Sequence, residues 1–136
     1  MTVGGKEFRY AIELDRGGRV TADGRAPLDL DAAWTPEHLV LAGLVRCTLQ
    51  SLRFHATHAG VDFLASAAAS GRVTKREGDG RYAFVELDVE LELEVEPLPA
   101  PEQLQDLIDK AERDCFVGAS LSPKPLYHWR VNGSPV

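Results

Sequence analysis

Two cysteines, Cys47 and Cys115, are the residues of this sequence best suited to chemistry. A thiolate is a strong nucleophile, and two neighbouring thiols can form and exchange a disulfide. Cys47 lies within an apolar helical pattern, one turn after Gly43, and a glycine inside a helix costs about 1 kcal/mol relative to alanine. We therefore expect Gly43 to serve a purpose, such as leaving space beside the sulfur of Cys47. Cys115 ends a second apolar stripe, and the spacing alone leaves both a pair of core residues and a redox pair open.

A long helix must position Cys47. Thr35 can cap its first amides, Pro36 is tolerated at the first helical position, and Glu37 suits the positive end of the helix dipole. We expect the helix to run to about Thr57. Its apolar positions wrap more than half of the circumference, which predicts burial on most sides. These positions are Val40, Leu41, Leu44, Val45, Leu49, Leu52 and Phe54.

The clearest strand signal is the alternation of apolar and acidic residues over residues 85–96, which predicts one buried and one solvated face. A preceding strand over residues 61–76 makes this segment a long hairpin. The order of elements predicts an α+β fold in a single domain, residues 1–136. The other predicted elements are strands over residues 6–14, 19–22 and 28–30, a helix over residues 101–115, a loop over 118–125 and a strand over 126–132.

The composition excludes some classes of function. The net charge is −6, from 15 basic and 21 acidic residues, whereas nucleic-acid and anionic-membrane binders need a basic surface. No apolar run reaches the roughly 18 residues of a membrane span, and the first residues lack the apolar core of a signal peptide. We therefore expect a cytoplasmic protein that binds neither nucleic acid nor membrane.

Three segments carry a resemblance to a known family. Residues 35–47, TPEHLVLAGLVRC, resemble a motif that opens a helix and ends on a peroxidatic cysteine. Residues 111–121, AERDCFVGASL, resemble the second-cysteine motif of the same family, and residues 16–19, RGGR, resemble the region of its active-site arginine. The chain is thereby identified as an OsmC-like member of the OsmC/Ohr family, named for osmotically inducible protein C and organic hydroperoxide resistance protein.

The resemblance implies a fold, an assembly and an activity. A long β-hairpin and an antiparallel sheet would wrap around a buried central helix in an intertwined homodimer, with active sites at the subunit interface. The activity would be thiol-dependent reduction of hydroperoxides. Cys47 would be the peroxidatic thiol, Cys115 the resolving thiol, Glu37 the active-site carboxylate and Arg16 its basic partner, with Arg19 as the alternative arginine. Phe116 and Thr48 depart from the residues usual after the two cysteines.

This chemistry requires no metal, flavin or other cofactor, only a small hydroperoxide substrate and an external dithiol or lipoyl-type reductant. A cation near Cys47 is needed, because burial alone disfavours its thiolate. Glu37 and Cys47 are separated by roughly 15 Å along one helix. We therefore predict that Glu37 acts at the cysteine of the second subunit.

Two other interpretations remain open. His55 and His58 have the spacing of a partial zinc site, although paired cysteine ligands are lacking. The chain could instead be a non-enzymatic OsmC-like dimer that binds a small apolar or thiol ligand, with both cysteines as core residues. Four aromatic residues could line its pocket or simply pack in the core. They are Trp34, Phe54, Phe63 and Phe116.

Overall fold

A computed structural model describes residues 4–136, and the chain divides into two compact units at Thr35–Pro36. The first unit contains a three-stranded antiparallel sheet of β1 (Ile12–Leu14), β2 (Val20–Ala22) and β3 (Pro27–Leu28). All three strands are shorter than predicted. β2 is only three residues long and pairs with only three residues of β1. Residues 6–11 of the predicted first strand therefore have no strand partner in this sheet.

The turn between β1 and β2 is built around one aspartate. Asp15 Oδ1 accepts hydrogen bonds from the backbone amides of Gly17 and Arg19, both at 2.9 Å. Gly18 has a φ of 85°, which a residue with a side chain rarely adopts. Arg16 therefore lies in a well-defined tight turn, with its side chain exposed.

The second unit contains all three helices of the described chain and a four-stranded sheet. Its sheet order is β4-β5-β6-β7, and β5 and β6 are parallel while the other pairs are antiparallel. The prediction of an antiparallel sheet is therefore wrong for β5–β6, because the helices between them carry the chain back to the same end. The elements are α1 (Pro36–Ala59), β4 (Phe63–Lys75), β5 (Tyr82–Val95), α2 (Pro101–Arg113), α3 (Phe116–Ser120), β6 (Leu126–Val131) and β7 (Ser134–Pro135).

The core of this unit lies between the apolar face of β5 and the helices. The predicted alternation is confirmed, since the apolar residues of β5 from Leu87 to Val95 are buried and the intervening acidic residues face outward. Every second side chain of a strand points to the same face, so this pattern orients the whole sheet. The largest fully buried side chains are Leu44, Thr48, Leu87, Val89, Leu91 and Cys115.

Helix α1 is buried along one face only. That face carries Leu44, Thr48, Leu52 and Ala56, whereas Phe54 is 59% exposed. The expectation of burial on most sides is wrong within a single chain, because the sheet, α2 and α3 cover one side of the helix. No helix among residues 4–136 is long and apolar enough to span a membrane.

The chain around Cys115 also differs from the prediction. The helix expected over residues 101–115 ends at Arg113, and Asp114 is its C-cap. Cys115 has an extended backbone, and its sulfur accepts a hydrogen bond from the amide of Gly118, so Cys115 is the N-cap of α3. Part of the predicted loop over residues 118–125 is therefore helical, because a thiol caps the new turn in place of a hydroxyl.

Candidate active site

The structure brings the two cysteines together. Cys47 lies mid-way along α1 and is half-buried, while Cys115 begins α3 and is fully buried. Both are free thiols, and they are near enough for Cys115 to raise the pKa of Cys47. Two thiols in this arrangement can form a disulfide between α1 and the α2–α3 junction.

Backbone amides of α3 point at both sulfurs. The Val117 amide donates to Cys47 Sγ at 3.4 Å, and the Gly118 amide donates to Cys115 Sγ at 3.4 Å. Amides at the start of a helical turn carry partial positive charge and favour a thiolate. One short turn thus contacts both candidate redox atoms.

Burial is the main influence on the Cys47 thiol and raises its pKa, and the neighbouring Cys115 also raises it. The amides of Val117 and Phe116 lower the pKa of Cys47 in part. Within residues 4–136, no basic side chain is among the groups that shift it. Two amides alone therefore do not offset desolvation, and an efficient nucleophile needs a further positive group.

Cys115 is surrounded by hydroxyl groups. Thr48 Oγ1 lies 3.5 Å from Cys115 Sγ and donates to the Leu44 carbonyl at 2.9 Å. The Tyr127 hydroxyl lies near this sulfur, since a Cβ atom built at Gly118 would be 2.9 Å from the hydroxyl and 3.4 Å from Cys115 Sγ, and burial raises the pKa of Tyr127 to about 12. Tyr127 therefore stays protonated at neutral pH and can donate a hydrogen bond to the buried sulfur.

A glycine makes this close approach possible. A Cβ atom at Gly118 would lie 2.9 Å from the Tyr127 hydroxyl and 3.4 Å from Cys115 Sγ. Gly43 differs, since a Cβ there would meet nothing within 4 Å, as expected from the space inferred beside Cys47. Gly118 therefore keeps the pocket around Cys115 tight, whereas a Cβ at Gly43 would touch neither Cys47 nor any other side chain.

Glu37, the predicted active-site carboxylate, is not part of this cluster within the second unit. Glu37 lies in the first turn of α1 with an exposed side chain, ten residues before Cys47, and is not among the groups that shift the pKa of Cys47. Arg16 and Arg19 belong to the β1–β2 turn of the other unit. Their roles at Cys47 stay predictions.

Sequence reasoning missed several residues of the cluster. Thr48 was noted only for its departure from the family pattern, although a hydroxyl on the buried face of an apolar helix is itself a signal of a polar contact. Tyr127 could not be placed from sequence, because its approach depends on the parallel pairing of β5 and β6. The pairing of His55 with Asp114 was also missed, because Asp114 is the C-cap of a different helix, α2.

The histidines of the partial zinc pattern have other partners. His55 Nε2 lies 2.7 Å from Asp114 Oδ2, and His58 Nδ1 lies 2.8 Å from the carbonyl of Phe54. Over residues 4–136 no group of three or more histidine, cysteine, aspartate or glutamate residues could hold a metal ion. The aromatic residues of the ligand-pocket hypothesis are not core residues throughout, because Phe54 and Phe116 are more than half exposed.

Comparisons with known proteins identify the family and the fold. The OsmC-like protein family matches residues 29–127. No curated protein sequence matches the chain. Among solved structures, an OsmC-like protein from Mycoplasma pneumoniae has a TM-score of 0.69 and 17% identity, covering 93% of this chain and 97% of that one.

Two further structures are of proteins named for hydroperoxide resistance. OhrB of Bacillus subtilis, an organic hydroperoxide resistance protein, has a TM-score of 0.54 at 22% identity, covering 91% of this chain and 96% of its own. An organic hydroperoxide resistance protein OsmC from Legionella pneumophila has a TM-score of 0.62 at 21% identity, with coverage of 93% and 98%. At these identities the structures show the fold. With the sequence match over most of the chain, they establish that this protein belongs to the OsmC-like family.

Proposed function

We propose that this protein is a thiol peroxidase that reduces organic hydroperoxides, with Cys47 as the peroxidatic thiol and Cys115 as the resolving thiol. The observation that carries the proposal is that the adjacent amides of Val117 and Gly118 contact the two free thiols, of which Cys47 is half-buried and Cys115 is fully buried. The exposed member of such a pair can meet a peroxide, and the buried member can meet only its neighbour. The order of the two steps follows from this difference in access.

The proposed reaction has two chemical steps in the protein. The Cys47 thiolate attacks the terminal oxygen of ROOH, the O–O bond breaks, and Cys47 becomes a sulfenic acid while the alkoxide takes up a proton and leaves as ROH. The Cys115 thiol then attacks the Cys47 sulfur, forming the disulfide and releasing water. Each turnover oxidises two thiols and reduces one peroxide, so no metal or flavin is needed.

A dithiol or lipoyl-type reductant completes the cycle by exchange with the disulfide. Cys47 is the more accessible sulfur, so the reductant attacks there and Cys115 leaves. The amide of Gly118 already donates to Cys115 and can stabilise the sulfur as it departs with negative charge. The nearby hydroxyls of Tyr127 and Thr48 can add to this by turning toward the sulfur, which for Thr48 means leaving the Leu44 carbonyl.

The proposal also assigns a homodimer. Apolar side chains remain uncovered along α1 and β4, including Leu39 at 37%, Phe54 at 59% and Leu64 at 71% exposed. A second copy of the chain covering this surface would bury them and account for the apolar circumference of α1. In that assembly Glu37 would act at the cysteine of the second subunit, and Arg16 would supply the positive charge that the pKa of Cys47 requires.

The proposal is tested by counting thiols after one equivalent of cumene or t-butyl hydroperoxide. Wild-type protein should lose both thiols, Cys47→Ser should keep its remaining thiol, and Cys115→Ser should lose its thiol once and then stop turning over. Equal peroxide consumption by both variants would contradict the assigned order. Retention of both wild-type thiols at excess peroxide would instead favour the non-enzymatic binding module.

A further inference from the structure

A half-buried hydrogen bond between His55 and Asp114 joins α1 directly to the segment that carries Cys115. His55 Nε2 lies 2.7 Å from Asp114 Oδ2, and the His55 side chain is only 15% exposed. Asp114 immediately precedes Cys115, and His55 follows Cys47 by eight residues, about two turns of the same helix. The pair therefore connects the two cysteine-bearing elements beside the thiols, and the proposed reaction makes no direct use of it.

Asp114 is held from two sides. Arg113 donates to both carboxylate oxygens at 2.9 Å, and His55 approaches from α1. The Arg113 guanidinium and then His55 lower the pKa of Asp114 to about 2, so the group is ionised at neutral pH and accepts from both neighbours. Arg113 is adjacent in sequence and fixes Asp114 only locally, whereas the contact with His55 spans 59 residues.

Other polar contacts between α1 and this segment involve sulfur and are longer. They include Val117 N to Cys47 Sγ at 3.4 Å, Thr48 Oγ1 to Cys115 Sγ at 3.5 Å and Cys115 Sγ to the Leu44 carbonyl at 4.0 Å. These contacts change when a sulfur is oxidised, because the sulfur atom itself is one of the partners. The His55–Asp114 contact does not involve a reacting atom and can persist through the whole cycle.

We propose that His55 is a positioning residue for the resolving step, holding Asp114 and thus Cys115 against α1 while Cys47 is a sulfenic acid. This inference rests on the proposed peroxidase function. In that step the Cys115 thiol attacks the Cys47 sulfur, the new S–S bond forms, and hydroxide leaves with the thiol proton as water. The rate depends on the position of Cys115, and a misplacement near 1 Å can cost about a hundredfold.

The inference predicts an effect on one step only. In His55→Ala, peroxide consumption in the first turnover should stay within about twofold of wild type, because His55 does not lie among the groups that shift the pKa of Cys47. Disulfide formation should slow by about tenfold or more. The Cys47 sulfenic acid should then persist, react with dimedone, and be converted by a second peroxide to sulfinic acid.

The experiment follows both steps by quenching and mass spectrometry after one equivalent of t-butyl hydroperoxide. His55→Gln retains an amide N–H that can reach Asp114 and should restore disulfide formation to within about threefold of wild type. His58→Ala is the matched control, because His58 lies on the same helix and its imidazole hydrogen-bonds to the Phe54 carbonyl of that helix. It should behave as wild type in both steps.

The outcomes separate the inference from the function beneath it. Disulfide formation at the wild-type rate in His55→Ala would overturn the positioning role and leave the peroxidase proposal standing. Slowing of both steps in His55→Ala, or no rescue by His55→Gln, would also overturn it, since either result indicates a general structural loss. A wild-type protein that does not consume peroxide would overturn both.

Discussion

Replacing Gly118 by alanine tests the packing around Cys115. The added Cβ would lie 2.9 Å from the Tyr127 hydroxyl, well inside normal contact, and 3.6 Å from Leu44 Cδ1. The Tyr127 ring stacks near Trp129 with centroids 6.5 Å apart, so it cannot swing freely away. Overpacking of this kind costs about 1–3 kcal/mol. The better helix propensity of alanine returns up to about 1 kcal/mol, which leaves a net loss of about 1–2 kcal/mol.

The loss can be measured as the free energy of unfolding in urea at one fixed protein concentration. With an m value of about 1.5 kcal/mol per molar, the midpoint of Gly118→Ala should fall by about 0.7–1.3 M. Gly78→Ala is the control, because a Cβ there meets nothing within 4 Å and its φ is not positive. That variant should be unchanged or slightly more stable.

The same substitution in a Tyr127→Phe protein identifies the atom with which the added Cβ collides. If the Tyr127 hydroxyl is the obstacle, Gly118→Ala should cost about 1 kcal/mol less in a Tyr127→Phe protein than in the wild type. Equal losses in both backgrounds would refute this reasoning and assign the strain elsewhere. An increase in the stability of Gly118→Ala would refute the packing of the pocket altogether.

Three further predictions concern single groups. In an Arg16→Ala protein, alkylation of Cys47 by iodoacetamide should be slow at pH 7 and increase about tenfold per pH unit until above the ordinary thiol pKa, because burial then raises the pKa of Cys47 with no arginine to offset it; a plateau reached below pH 7 would contradict this. Asp114→Asn should lower stability by about 1 kcal/mol after allowance for solvent screening. Because the pKa of Asp114 is lowered to about 2, the full loss of stability is expected above the unfolded-state pKa of about 4. The loss should vanish as the pH falls through about 2, and a loss of stability that persists in acid would contradict this prediction. Leu91→Ala should cost about 2–5 kcal/mol in urea unfolding, because Leu91 is fully buried in β5, and a cost below 1 kcal/mol would contradict the assigned core.

The sequence predicted the elements whose signals are local and periodic. The alternation along β5 and the start of α1 at Pro36 depend on neighbouring residues, and both are confirmed. The parallel pairing of β5 with β6 was missed, because it depends on how the intervening helices cross the sheet. The N-terminal strands were overestimated, since strand length is set by the partner and not by the strand alone.

For the candidate site, too, the sequence predicted individual residues but not the contacts between distant elements. The sequence singled out both cysteines, and the structure brings them together. Thr48, Tyr127 and the His55–Asp114 pair could not be assembled from spacing, because their contacts join distant elements. The apolar positions of α1 cover more of its circumference than a single chain buries. The proposed second copy of the chain would cover the remaining apolar side.

The most direct test of the central claim is the intact mass of the unreduced wild-type chain before and after one equivalent of an organic hydroperoxide, followed by peptide mapping. The account predicts the loss of two hydrogens per chain and one linked pair of peptides that contain Cys47 and Cys115. An unchanged mass with both thiols still free, or a disulfide only between separate chains, would contradict it.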